Sequence, residues 1–350
     1  MKLRVSTRLM RKLATVGFVL ILMLVFSLQA DNFFNLRNFS ELSFNAAFLG
    51  LLALGLSFVM IGGGIDLSAG GIVCVVAILC SRFSFLGTPG IVVVVFGVVC
   101  GAFFGLCNGL LVSRAGLTEF VTTLATGILY QGLGLLFAFR DTGKLSGTLV
   151  SMGITNKSYL ALGGRFSALF GARGALKDFH LMTVIWIVLA VAMYFVLRRT
   201  NFGLRTYAIG SHPKAAEMSG VDIRRVKTIG FVICGAFAGL ASAFLVANMS
   251  AANASLGSGY EFQAIAACVV GGIALGGGKG DAVCALIGSV FLVTILNGLY
   301  KFNIPTYWSY ILQGVIIIVA TVFDASFASF ARRLRERRAD RASGEEAMRL

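Results

Sequence analysis

Gly62-Gly63-Gly64-Ile65-Asp66-Leu67-Ser68 is the densest concentration of reactive or conformationally special residues in the chain: three glycines, an acid and a hydroxyl between two apolar runs. The glycines free the backbone to turn, and Asp66 and Ser68 are of the types that cap a helix by accepting its free amide hydrogens. A cap at a cytoplasmic helix end is therefore the expected role of Asp66, with a substrate or ion ligand as the alternative. A second cluster, Gly276-Gly277-Gly278-Lys279-Gly280, invites comparison with a phosphate-binding loop. It fails the P-loop spacing, because Ile273 stands where the first glycine belongs and Gly280 replaces the magnesium-binding hydroxyl. No ATP site is expected in this chain.

Polar residues inside apolar runs are Asn45, Asn108, Thr122, Thr123, Thr126, Tyr130, Gln131, Asn297 and Gln313. Amides and hydroxyls suit a polyhydroxylated solute, which needs hydrogen bonds rather than ion pairs, and the same groups also tie membrane helices together. Asn45, Asp66, Thr123, Tyr130, Gln131, Asn297 and Gln313 are the candidates for a pathway. His180 and His212 are the only histidines and stand far apart in sequence. Metal binding and a proton relay have almost no material, and no nucleophile, base and orienter set emerges, so neither a catalytic residue nor a metal site is expected. The seven cysteines lie inside apolar segments with no CxxC spacing and read as small packing residues.

The elements that must hold these residues are membrane helices. Hydrophobic residues make up 57% of the 350-residue chain and charged ones 13%, with a mean hydropathy of +0.88. Runs near 20 apolar residues occur at 14–30, 42–62, 68–85, 90–112, 118–139, 179–197, 228–247, 262–278, 281–300 and 306–327, the third and eighth being short and Gly-rich. The expected fold is an all-α polytopic membrane protein of about ten transmembrane helices. Its 43 glycines predict close helix approach, since lipid provides no hydrophobic force between helices.

The net charge of +15 is topological rather than a nucleic-acid signal, because Lys and Arg gather at the ends of the apolar runs. Both termini are basic and are expected in the cytoplasm, which requires an even number of spans. A signal peptide is the alternative for the first span. The chain reads as one transmembrane domain over 1–350, with an extracytoplasmic loop at 141–177, a cytoplasmic loop at 198–227 and a basic cytoplasmic tail at 331–350. The cytoplasmic loop carries the helix-compatible run Pro213-Lys214-Ala215-Ala216-Glu217-Met218, which could dock a partner or merely carry topogenic charge. Gly63-Gly64-Ile65 echoes Gly271-Gly272-Ile273 and Asn108-Gly109-Leu110 echoes Asn297-Gly298-Leu299, but the unequal gaps between the paired motifs make chance the preferred reading of that repeat.

Three stretches together resemble the permeases of ribose-type and related monosaccharide ABC importers, over about Asn45 to Asp324. They are Gly63-Gly64-Ile65-Asp66-Leu67-Ser68; Phe202-Gly203 with Tyr207-Ala208-Ile209-Gly210 and Ala215-Ala216 to Ser219-Gly220; and Gly259-Tyr260-Glu261 leading through Ala264-Ile265-Ala266-Ala267 to Gly271-Gly272. The resemblance implies a multi-pass protein of the bacterial inner membrane that pairs with a second permease, the same or homologous. It also implies a cytoplasmic ATP-binding-cassette ATPase holding ATP and magnesium, and an extracytoplasmic sugar-binding protein, while this chain itself binds no cofactor. The loop from Phe202 to Gly220 would couple to the ATPase through Gly203, Tyr207, Gly210, Pro213, Ala215, Ala216 and Gly220. His212, Ser242, Thr118-Glu119 and Gln131 depart from the family pattern and leave the substrate open. The alternative functions are an ion-gradient-driven secondary transporter, which would normally need acids or histidines along its pathway, and a channel-like subunit without coupled transport.

Overall fold

The computed structural model describes residues 7–29, 33–142, 151–165, 178–319 and 322. Its helices are α1 (Thr7–Gln29), α2 (Leu36–Ile61), α3 (Ala69–Phe85), α4 (Gly90–Ser113), α5 (Glu119–Thr142), α6 (Lys157–Gly163), α7 (Leu181–Arg199), α8 (Asn201–Ser211), α9 (Pro213–Met218), α10 (Ile223–Met249), α11 (Tyr260–Gly271) and α12 (Ala282–Lys301). A further helix, α13, covers Tyr307–Val319. Strands β1 (Ser151–Gly153) and β2 (Ala251–Asn253) form a small antiparallel pair. The basic tail and most of the 141–177 loop lie outside the described residues; the described part of that loop forms β1 and α6.

Each of the ten apolar runs coincides with an apolar helix, and seven of these are long and apolar enough to cross a membrane. The other three are α3, α11 and α13. The expected span 262–278 is corrected, because α11 has 12 residues and stops where Gly271 and Gly272 end it. At 1.5 Å per residue it reaches about 18 Å, well short of a hydrocarbon core of about 30 Å. The 198–227 loop is likewise mostly helical, since α7 runs to Arg199 and α8 begins at Asn201.

Buried and almost wholly apolar from Ala46 to Ile61, α2 sits at the centre of the bundle, as expected for a stretch without a polar face. Around it, glycine sets the spacing. Gly97, Gly101 and Gly105 recur every fourth residue on α4 and face Gly235 and Gly239 of α10. A Cβ on Gly101 would collide with the Gly235 carbonyl, and one on Gly235 with the Gly101 carbonyl. This is the small-residue seam that lets helix backbones approach in lipid, and it fulfils the expectation of close packing.

The two ends of the bundle differ. One carries β1, β2 and α6, together with an amide pair in which Asn38 and Asn297 exchange hydrogen bonds of 3.2 and 3.1 Å. The other, the basic end, carries Arg198, Arg199, Arg205, Lys214, Arg224, Arg225 and Lys227. There Asp281 caps α12 by accepting from the Cys284 amide. It also accepts from Lys12 of α1 at 2.7 Å and Arg198 of α7 at 3.1 Å, which ties three helices together.

Candidate coupling and translocation site

At the basic end, α8, α9 and the start of α10 make a small protruding unit whose construction follows from its residues. Thr200 opens α8 by accepting from the Gly203 amide at 3.2 Å. Gly203 fits this tight α7–α8 corner because a Cβ would strike the Leu197 carbonyl. Pro213 occupies the first turn of α9, where its missing N–H costs nothing. Gly220 ends that helix at φ +78, a conformation that disfavours residues with a side chain. Asp222 then starts α10 by accepting from the Arg225 amide at 3.0 Å. Ile209, Ala216 and Val226 form a separate apolar core beneath α9, so the protrusion is a packed body rather than a slack connection. Ala215 is exposed, and Met218 at the tip is 90% exposed.

The root of this unit is clamped. Tyr207 donates to the Gly280 carbonyl at 2.6 Å. Gly210 packs so closely that a Cβ would collide with the Ile61 carbonyl and come within 2.6 Å of the Gly278 amide nitrogen. That amide in turn donates to the Ile61 carbonyl at 2.8 Å. Gly277 lies on Gly63, with 2.7 Å from its would-be Cβ to the Gly63 Cα. The Gly-rich segments 62–68 and 272–281 therefore meet at the base of α8 and α9.

Both segments adjoin interrupted helices, the first leading into α3 and the second following α11. From Gly64 to Ser68 the chain is non-helical before α3 starts, and α11 begins after a non-helical stretch that follows β2. The two starts touch inside the bundle: a Cβ on Gly70 would meet the Gly257 carbonyl and the Glu261 carboxylate. From there α3 runs towards the end carrying α6, and α11 returns to the basic end. Glu261 is half-buried at this meeting point beside Tyr260, whose ring stands edge-on to Phe48 at 4.8 Å.

Asp66 is fully buried, which corrects its expected place at a solvent-facing helix end. Its Oδ1 accepts from the Ser68 amide at 2.8 Å and the Ser68 hydroxyl at 2.6 Å, whereas Oδ2 has no hydrogen-bond partner. Ser68 precedes α3 without capping it by its side chain, a second correction. The hydroxyl is engaged instead in a chain: Asn108 donates to Ser68 Oγ at 2.6 Å, and Tyr130 donates to Asn108 Oδ1 at 2.9 Å. Thr123 accepts from the Leu67 amide at 3.0 Å. The candidates Asp66, Thr123 and Tyr130 thus come together, joined by Ser68 and Asn108, and tie α4 and α5 to the stretch before α3.

The remaining pathway candidates do not join them. Asn45 is exposed on α2, Asn297 is engaged with Asn38, Gln131 is half-buried on α5 and Gln313 is buried on α13. Beside the 62–68 segment, a cleft of about 510 Å³ opens between the α4–α5 turn and the start of α10, lined by Gly64, Ile65, Val112, Leu117, Glu119 and Lys227 among others. Glu119 and Lys227 form an ion pair across it. The Glu119 carboxylate lies against Gly64, where a Cβ would push it aside. Ser242, another departure from the family pattern, donates to the Val73 carbonyl at 2.8 Å and binds α10 to α3.

Sequence reasoning held Glu261 only as part of a family motif, and missed the Glu119–Lys227 pair and the Lys12–Asp281–Arg198 cluster. Their common signal was an acid at a helix end, legible as a cap or charge but not, for Glu119 and Asp281, as a partner 83 to 269 positions away. Among the described residues no group of three or more His, Cys, Asp or Glu is placed to hold a metal ion. His180, before α7, is held below its usual pKa by burial and by the charge of Arg165.

Residues 38–321 match the family described as branched-chain amino acid transport system / permease component. The ribose import permease protein RbsC of Bacillus subtilis (strain 168) is 31% identical, over 90% of this chain and 93% of that protein. RbsC of Escherichia coli (strain K12) is 29% identical, over 87% and 91%. The xylose transport system permease protein XylH of the same strain is 30% identical, over 89% and 91%. No solved structure matches the chain. With its apolar helices of spanning length, the match across most of its length identifies this chain as a multi-pass membrane protein and a member of that transport-system permease family.

Proposed function

We propose that this chain is the membrane-spanning subunit of an ATP-binding-cassette importer for a monosaccharide or similar polyol in a bacterial inner membrane. ATP would be hydrolysed by a separate cytoplasmic subunit and the solute delivered by an extracytoplasmic binding protein. The observation that carries this reading is α9: a short helix on its own small core, ending in a 90% exposed Met218, with its root fastened to two non-helical segments inside the bundle. An exposed apolar tip on a rigid body is the shape of a docking element, and fastening it to interrupted helices gives a docked partner mechanical purchase. The ribose and xylose permeases among its relatives support a sugar as the solute. Pairing with a second permease, and both termini facing the cytoplasm, belong to the same proposal.

The assay is ATP hydrolysis by the co-purified complex in lipid nanodiscs, with the cognate binding protein empty or loaded with ribose, xylose or other candidate sugars. Wild type is compared with Gly210→Trp, whose side chain cannot fit between Ile61 and Gly278. Stimulation by one loaded binding protein, abolished in the variant, is the expected result and identifies the solute. Absence of any co-purifying ATPase, together with normal uptake by the variant, would overturn the reading in favour of an ion-driven carrier.

A further inference from the structure

The glycines of the 62–64 and 276–280 segments lie far apart in sequence and at the root of the α8–α9 unit in space. Gly63 has φ +85, Gly277 +80 and Gly278 +69, so each holds a backbone conformation that side chains disfavour. Their contacts are mainly backbone to backbone: Gly277 on Gly63, Gly278 on Ile61 and on the Ser211 backbone and hydroxyl, Gly210 on both Ile61 and Gly278. With only the short Ser211 side chain among them there is little to absorb a displacement, and close-packed contacts shift as units rather than deform. One segment continues into α3 and the other is the continuation of α11, and these helices touch again where Gly70 meets Gly257 and Glu261. The two helices and their linkers therefore form a closed circuit, anchored at one point to the protruding unit.

We infer that the contact of Ile61–Gly63 with Gly210 and Gly277–Gly278 transmits motion of α9 to both interrupted helices at once, making Gly277 and Gly278 positioning residues for translocation. The inference rests on the importer reading and adds to it the path. Pushing on α9 moves Gly210 against both linkers, and because α3 and α11 start beside each other, a shift of the linkers changes the packing at Gly70, Gly257 and Glu261. That packing is where a gate for the solute would open. Gly277 and Gly278 are thus a mechanical element in a segment whose spacing does not fit a phosphate-binding loop.

The test compares Gly277→Ala with Gly276→Ala in the reconstituted complex, reading solute moved per ATP hydrolysed. The control is apt because a Cβ at Gly276 meets nothing within 4 Å. Gly277→Ala should lower that ratio by about ten-fold, the size of a typical coupling free energy between sites, while Gly276→Ala leaves it unchanged. A second measurement needs no variant: hydrogen exchange in the wild-type complex with and without ATP and vanadate. Exchange should change together in 62–68 and 272–281 when ATP is trapped. A change at 213–220 with both linkers unmoved, or an unaltered ratio in a well-assembled Gly277→Ala complex, would overturn the inference and leave the importer reading intact. Failure of the wild-type chain to bind an ATPase would instead remove the importer reading itself.

Discussion

Asp281 shows how far one side chain can reach. Burial alone would raise its carboxyl, but hydrogen bonds and charge from Lys12, with a further bond from Arg198, outweigh it and hold the group below the usual aspartate range. A depressed folded pKa stabilises above the unfolded value, and that contribution is lost as pH falls through the folded one. Asp281→Asn is therefore expected to lower the melting temperature of the purified protein at neutral pH. The loss corresponds to on the order of 2 kcal/mol, mostly through Lys12, since Arg198 is more exposed to solvent. The difference from wild type should shrink as pH is lowered below about 4, the ordinary aspartate value. A difference that stays constant across that range would show that the charge is not what binds α1 to α7 and α12. In sequence Asp281 was legible only as an acid before an apolar run; Lys12, 269 positions earlier, carried no mark of being its partner. Asp66 illustrates the opposite failure. Its motif was plain, yet its burial depended on α4 and α5 closing over it with Asn108, Tyr130 and Thr123, which no local spacing reveals.

At the scale of elements, the apolar runs could be read because each is long, continuous and bounded by charge or glycine. Helix α11 was overextended because the residues after it, Ile273 to Leu275, remain apolar. The bonds that end the helix come from Gly272, at φ +106, and from the Ile273 amide, which donates to the Cys268 carbonyl. Contacts between helices were legible only as a glycine count, although the spacing of Gly97, Gly101 and Gly105 already placed them on one face. The α4–α10 seam gives a sharp expectation. Gly101→Val should cost at least about 1–3 kcal/mol, because overpacking displaces backbone carbonyls rather than pliable side chains. Gly132→Val on α5, where a Cβ meets nothing within 4 Å, should be tolerated. Monodisperse yield and melting temperature after extraction would separate them, and equal behaviour would contradict the closeness of the seam.

Across the whole molecule, the charge asymmetry is the feature that sequence exposed best and that geometry sharpens. Basic residues from α7, α8, α9 and α10 gather at one end, and the β1–β2 pair, α6 and the Asn38–Asn297 bond occupy the other. By the rule that cytoplasmic ends are rich in Lys and Arg, a cysteine at Met218 should react with an impermeant maleimide only in inside-out vesicles. A cysteine at Ser255, exposed near β2, should react only in right-side-out ones. The native cysteines give little background, since five of the seven are buried and the other two are half-buried. Labelling of both sites from one side would refute this orientation.

The shortness of α11 bears on how the protein is made. A twelve-residue helix does not span the hydrocarbon, and the non-helical stretches on either side carry peptide groups that lipid cannot satisfy. Such a segment has no stable resting place in the bilayer by itself, so during synthesis it must wait until α12 emerges and the two enter as a hairpin against the already inserted α2 and α3. Biogenesis of the C-terminal third is then a late, concerted event, and ribosome-bound chains truncated before α12 would leave α11 accessible to water-soluble reagents.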